Sequence, residues 1–294
     1  MAVRLEDALG RTVELAAPAA RVVSLVPSET ESVVALAGLE RLVGRTEWCE
    51  EPAGRIEAVP TVGGTKKIDV DAVLALEPDL VLANREENGK RDVERLIDAG
   101  VPVHVSLPKT PEDAAAHLRA LAAMLGVDDE PARALEAAVS ERRRRAPRPV
   151  RVFAPIWKDP WMTFDDRTYG GALLALLGGQ NVYRGRPRRF PLAADLGDAP
   201  AREVPERDTR YPRTSVEEIV RRAPELVLLP DEPFRFDESH VDEVRAWGLD
   251  AAVELVCGKD LFWYGVRTLG ALERLGARLD AHRTRTGHPP DPQR

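Results

Sequence analysis

Cysteine is scarce: Cys49 and Cys257 are the two among 294 residues. No C-x-x-C pair and no disulfide framework can be built from them, which excludes a zinc ribbon, a thiol-redox motif and a cysteine-stapled scaffold. They read as separate thiols, with a single bridge between the two halves as the alternative. Basic charge is also in deficit, 42 Lys and Arg against 49 Asp and Glu, for a net charge of −7. A nucleic-acid partner, which requires a basic face, is not expected. No apolar run approaches the roughly 18 residues needed to cross a bilayer. The opening Met1-Ala-Val-Arg-Leu-Glu-Asp-Ala lacks the basic start and apolar stretch of a secretory leader, and no lipobox cysteine follows. As written the chain is expected in the cytoplasm, or outside it if a leader has been removed.

Catalytic signatures are missing as well. Leu25-Val-Pro-Ser-Glu lacks the glycines of a phosphate loop after the first apolar run. There is no nucleophile elbow. The histidines, at 104, 117, 240, 282 and 288, show no paired metal-ligand spacing. Neither an enzyme, nor a bound metal, nor an intrinsic cofactor is expected.

What is present is an alternation of short apolar strands and helices. Val22–Leu25, Leu42–Gly44, Leu80–Ala83 and Val103–Ser106 read as strands. Between and after them, helices are expected at 27–37, 70–76, 89–99 and 110–126, punctuated by Gly38, Pro78, Gly100 and Gly126. Such alternation implies a parallel sheet covered on both faces. Residues 129–145 hold no glycine, with acids at the start and Arg142-Arg-Arg-Arg145 at the end, a charge order that suits the dipole of one long helix. A second series follows, with strands at Val150–Ala154, Leu226–Leu229 and Val253–Val256 and helices at 170–177, 215–222, 239–247 and 265–282. The Arg- and Pro-rich stretch 184–213 reads as a long loop, and the tail from Thr284 as frayed. The expected organisation is an α/β fold of two Rossmann-like lobes, 1–126 and 150–294, joined by a linker helix within 127–149, with a ligand cleft between the lobes.

The two lobes echo each other. Val70-Asp-Ala-Val-Leu-Ala-Leu-Glu-Pro-Asp-Leu-Val-Leu82 aligns with Val216-Glu-Glu-Ile-Val-Arg-Arg-Ala-Pro-Glu-Leu-Val-Leu228. Asp71 and Glu217 each precede their proline by seven residues, and Asp69 and Ser215 fall where helix N-caps belong. Ser215 with Glu218 has the form of a capping box. A second echo pairs Ala37-Gly38-Leu39 with Leu177-Gly178-Gly179. Acids in a first turn also stabilise the helix dipole, by roughly 0.3–1 kcal/mol, so Asp71 and Glu217 have a local explanation beside any functional one.

Taken in order, Arg21-Val-Val-Ser-Leu-Val-Pro-Ser-Glu-Thr-Glu31, Gly38-Leu39, Val43-Gly44, the 71–82 segment, Arg91–Leu96, Gly100–Val103, Gly178–Val182 and 215–229 resemble the helical-backbone (class III) solute-binding proteins of ABC importers. The vitamin B12-binding branch is the nearest in pattern. The resemblance implies two αβ lobes joined by one helix, a bulky metal-chelate ligand and, as partners, the membrane subunits of an ABC importer. A monomer is expected. Cobalamin or another corrinoid is the first candidate, haem or a ferric siderophore the next. The resemblance further implies that one acid on each lobe, Asp71 and Glu217, engages arginines of the transporter. Where B12-binding relatives present aromatics to the corrin, this chain has Val62 and Asn84, which points to a more polar site. The alternative is a cytoplasmic metallocofactor-handling protein, or an enzyme, on a similar pair of lobes.

In folds of this kind, ligand-facing loops follow the C-terminal ends of strands. That rule selects Ser28, Glu29, Glu47, Trp48, Arg85, Glu86, Glu87, Trp157, Lys158, Trp161, Trp263 and Tyr264, with Arg267 close behind. Tryptophan suits stacking on a flat ligand, whereas the alternative for each is core packing. Trp247, in an expected helix, is assigned to the core. Arg85, Lys158 and Arg267 are the cations expected to meet acidic groups of the ligand.

Overall fold

A computed structural model describes residues 2–145, 147–205 and 207–287. The chain divides into two compact units. The first takes in residues up to Pro108, Glu112–Ala137 and Trp263–Thr268; the second contains Lys109–Pro111, Ala138–Phe262 and the stretch from Leu269 onward.

In chain order the first unit begins with a hairpin, β1 (Val3–Glu6) against β2 (Thr12–Leu15), which sequence reading missed. There follow β3 (Val22–Ser24), α1 (Pro27–Ala37), β4 (Leu42–Arg45), the two-residue strands β5 (Gly63–Gly64) and β6 (Lys67–Ile68), α2 (Val70–Ala75), β7 (Leu80–Asn84), α3 (Lys90–Asp98), β8 (Val103–Ser106) and α4 (Pro111–Leu125). The central sheet has the order β4-β3-β7-β8, all parallel. Every residue of β7 is buried, as expected for a parallel strand covered on both faces. One face packs Val22, Leu80 and Leu82 against Val33, Leu121 and Met124; the other packs Val23, Val81 and Ala83 against Val73, Val93 and Leu96.

Helix α5 (Glu130–Arg143) contains the boundary between the units, at Ala137/Ala138. It is shorter than the expected 129–145, and Gly126, at φ +68°, ends α4 before it starts.

The second unit runs β9 (Val150–Phe153), β10 (Pro155–Trp157), β11 (Met162–Thr163), α6 (Tyr169–Leu176), β12 (Gly179–Asn181), α7 (Leu192–Leu196), α8 (Val216–Arg222), β13 (Leu226–Pro230), α9 (Glu238–Arg245), β14 (Ala252–Val256), α10 (Gly258–Phe262) and α11 (Arg267–Arg285). Its sheet order, β12-β9-β13-β14, repeats that of the first unit strand for strand. The stretch expected as a plain loop, 184–213, contains α7, and the tail expected to fray from Thr284 stays helical to Arg285. His288 and the residues after it lie outside the described residues. No helix among the described residues is long and apolar enough to cross a membrane. Cys49 and Cys257 are free thiols.

The repeat has a physical basis that goes beyond its apolar pattern. Asp69 caps α2 by accepting from the Ala72 amide at 3.0 Å, and Ser215 caps α8 by accepting from the Glu218 amide at 3.3 Å. Glu77 and Ala223, each just before its proline, both sit in the left-handed region at φ 46° and 45°. Arg21 donates to the Leu76 and Glu77 carbonyls at the end of α2, and Arg151 donates to the Arg222 and Ala223 carbonyls at the end of α8. These arginines satisfy orphan carbonyls at helix ends where the dipole also favours a cation. The acid after each proline finishes the device: Asp79 accepts from the Ala20 and Arg21 amides and Glu225 from the Arg151 amide, all at 2.9 Å.

Candidate functional sites

In the first unit, the C-terminal ends of β7 and β8 carry Asn84 and Ser106, which meet Glu29 of α1, His117 of α4 and Tyr264 in one buried network. The Glu29 carboxylate accepts from Ser106 Oγ at 2.7 Å and from the Tyr264 hydroxyl at 3.0 Å, and lies 2.7 Å from His117 Nε2. Asn84 Nδ2 donates to the Tyr264 hydroxyl at 2.9 Å. Burial acts to raise the Glu29 carboxyl, but attraction to His117 and the hydrogen bonds from His117 and Ser106 prevail and hold it below its ordinary value. The His104 ring lies tilted against that of His117, 5.8 Å between ring centres, and burial together with its neighbour pushes its pKa down to about 4. Burying a carboxylate is tolerable only when its oxygens are satisfied in this way. Glu29 is therefore engaged inside the unit, and Ser28 is buried beside it. Asn84 serves this network and Val62 belongs to the apolar core.

The outer rim of the same unit is different. Glu47 and Trp48 are exposed, Trp48 to 59%. Glu47 joins Lys67, Asp71 and Arg95 around a pocket of about 500 Å³ floored by Gly63 and Gly64. A Cβ on Gly64 would stand 2.8 Å from the Glu47 carboxylate, so only glycine lets that side chain lie so close to the backbone. Arg85 is exposed, while Glu86 and Glu87 are half-buried, their amides held by Asn84 Oδ1 at 2.7 and 3.3 Å. Trp263 is buried, with the Arg267 guanidinium 5.4 Å from its ring centre. Arg267 is bound by Glu31 through two bonds of 2.8 and 2.7 Å, a bidentate pair.

In the second unit the corresponding strand ends carry aromatics. Trp161 is buried, stacked on Phe236 with ring centres 5.7 Å apart and edge-on to Trp247 at 5.0 Å. Phe234 lies 4.7 Å from Phe236, and Trp157 packs edge-on to Phe234 at 5.5 Å while leaving 48% of its own surface to solvent. A rigid stack thus holds one indole outward. Lys158 is paired with Glu243 and lies 5.8 Å from the Trp161 ring. Of the four loop tryptophans, then, Trp48 and Trp157 face solvent, and Trp161 and Trp263 do not. Sequence reading passed over Phe234 and Phe236; their two-residue spacing directly after β13 was the available signal. It also passed over His117, which nothing in its Ala/Leu-rich helix singled out.

The paired acids are exposed on both helices. Asp71 lies 3.8 Å from Arg95. Glu217 is exposed, and hydrogen bonds from its own backbone and from Ser215 lower its pKa. The capping box read at Ser215 and Glu218 is only half formed: the Ser215 hydroxyl holds the Glu218 amide, but the Glu218 carboxylate is drawn to Arg186 and Arg222. Among the described residues, no cluster of three His, Cys, Asp or Glu side chains is gathered for a metal ion.

Residues 22–244 match the family model described as periplasmic binding protein. A vitamin B12-binding protein of Pectobacterium atrosepticum is 28% identical over 221 residues, 71% of each chain. Among solved structures, the periplasmic vitamin B12-binding protein BtuF of Vibrio cholerae superposes with a TM-score of 0.71 at 23% identity, covering 90% of this chain and 98% of that one. The periplasmic heme-binding protein RhuT from Roseiflexus sp. RS-1 gives 0.69 at 21% identity, with 89% and 98% covered.

Proposed function

We propose that this chain, which belongs to the periplasmic binding protein family, is an extracytoplasmic solute-binding protein that holds a flat metal chelate and passes it to an ABC importer. Cobalamin is the first candidate, because the sequence relatives are vitamin B12-binding proteins, and haem the second, because the fold is shared with a heme-binding protein. The observation that carries the reading is Trp157. An indole half exposed to solvent, braced from below by Phe234, Phe236 and Trp161, is an apolar surface awaiting a partner. Trp48, exposed on the first unit beside Glu47, offers a second such surface. Stacking contributes about 0.5–1.5 kcal/mol per aromatic contact beyond burial.

The test is a fluorescence titration of the protein with cyanocobalamin, haem and a ferric siderophore. Indole quenching is expected with at least one of them, weakened roughly three- to tenfold by Trp157→Ala and again by Trp48→Ala. Binding indifferent to both substitutions, or no binding of any of the three, overturns the reading.

Asp71 and Glu217 are proposed as the contacts with the membrane subunits. Their support is a matched place in the repeat together with exposure, while the local capping duties fall to Asp69 and Ser215. Replacing both acids by Lys is expected to abolish uptake while solute affinity is kept; normal uptake would leave them as helix-dipole partners only.

A further inference from the structure

The cations expected to meet acidic groups of a ligand are in part engaged elsewhere: Arg267 by Glu31 and Lys158 by Glu243. The long segment between β12 and α8 holds guanidinium groups without such partners. It is pinned by Asp195, whose carboxylate accepts from the Arg189 and Arg213 amides at 2.9 and 2.7 Å and from the Arg186 side chain. Arg186 is further bound by Glu218, so its charge is balanced twice. Arg188 and Arg207 make no such direct pair. Both guanidiniums lie on the ring of Phe190, 4.5 and 5.3 Å from its centre, and among the described residues no carboxylate stands within ion-pairing distance of either. Burial pushes the Arg188 guanidinium below its ordinary value, with Arg207 adding to the shift and the more distant Asp195 and Asp208 opposing it. Nε of Arg188 and one terminal nitrogen of Arg213 are buried with no hydrogen-bond partner. A buried guanidinium nitrogen left unpaired is costly, and two in one segment beside two arginines with no direct ion pair call for an anion.

The segment is also tied to the exposed indole. Met162 is the strand partner of Trp157 in the β10–β11 hairpin, and Arg213 bridges to Met162 on its other side. Two strand spacings separate Arg213 from Trp157, about 10 Å, the scale of a tetrapyrrole from its centre to its peripheral substituents.

Building on the proposed function, we infer that Arg188, Arg207 and Arg213 form a subsite for the anionic oxygens at the edge of a chelate stacked on Trp157. Such oxygens are the carboxylates of haem or the phosphodiester of cobalamin. Bidentate guanidinium geometry suits either group, and Arg holds its charge under all conditions.

Four ligands distinguish the two sources: haem, its dimethyl ester, cyanocobalamin, and dicyanocobinamide, which lacks the phosphodiester. Affinities are compared for the natural protein, the Arg188→Gln/Arg207→Gln double variant and the Arg188→Lys/Arg207→Lys double variant, each checked for cooperative unfolding. The Gln variant is expected to lose roughly ten- to hundredfold for the anionic member of the pair that binds and to leave its uncharged counterpart unchanged. The Lys variant should recover part of the loss, and added salt should weaken only the anionic ligand. If the natural protein binds haem or cobalamin and the Gln variant binds it equally well, the subsite is refuted while the proposed function stands. If none of the four ligands binds the natural protein, both fall together.

Discussion

The two units are built on one plan and finished with opposite chemistry. Each has four parallel strands in the same order, a capped helix leading to a left-handed residue and a proline, and an arginine closing the end of that helix. Above this shared base, the first unit fills its strand ends with a buried carboxylate, two imidazoles, a serine and a tyrosine. The second fills the matching place with three tryptophans and two phenylalanines. The backbone plan is set by local rules that any αβ unit obeys, whereas the strand-end residues can diverge provided each set satisfies its own members. A polar network gives a fixed, directional interior that is sensitive to any missing partner. An aromatic stack gives area without such sensitivity and can leave one ring outward for a ligand.

If that contrast is correct, the first unit is the one a single atom can unsettle. Glu29→Ala removes the acceptor shared by Ser106, Tyr264 and His117 and is expected to cost about 3–5 kcal/mol in urea unfolding. A loss under 1 kcal/mol would mean that water replaces the carboxylate and that the network is not structural.

Acid should separate the units next. The His104 pKa is depressed from 6.5 to about 4 in the folded chain. The unfolded chain therefore binds the proton first, and the stabilisation is complete above pH 6.5 and drains away as pH falls toward 4. The loss is up to about 3 kcal/mol. Glu29, also depressed, adds to it at lower pH, as the carboxylate range is crossed. Hydrogen exchange at pH 7 and 4.5 is expected to show protection falling in β7, β8 and α4 before β13 and β14. Equal loss in both units would dissolve the distinction.

The smallest effect tests what the units share. Asp69→Ala and Ser215→Ala each remove one cap, and each is expected to cost about 1 kcal/mol. Unequal costs, one near zero, would show that the repeat is a likeness of sequence without a likeness of energetics.

Much of the plan was legible in the residues. Pro78 and Pro224, with an acid and Leu-Val-Leu after each, marked the end of a helix and the start of a buried strand, and both were found there. Glycine stops at 38, 100 and 126 fell where φ is positive. The β5–β6 and β10–β11 hairpins escaped because β5, β6 and β11 are two residues long, too short to show a period, whereas the β1–β2 hairpin did alternate and was overlooked. Helix α7 escaped because a five-residue helix in an Arg- and Pro-rich stretch carries no pattern.

The sequence by itself determined the αβ order, the repeat, the caps and the buried character of the strands, because each depends on residues close together in the chain. The tertiary structure alone decided which strand-end side chains face inward. Glu29, Trp161 and Trp263 were as eligible as Trp48 and Trp157 by position, yet the first three are buried. The reason is that their partners are remote. Glu29 meets residues 77, 88 and 235 places away, and Arg267 meets Glu31 across 236. A side chain becomes interior when such a partner arrives to satisfy it, and nothing within its own strand or loop records that arrival.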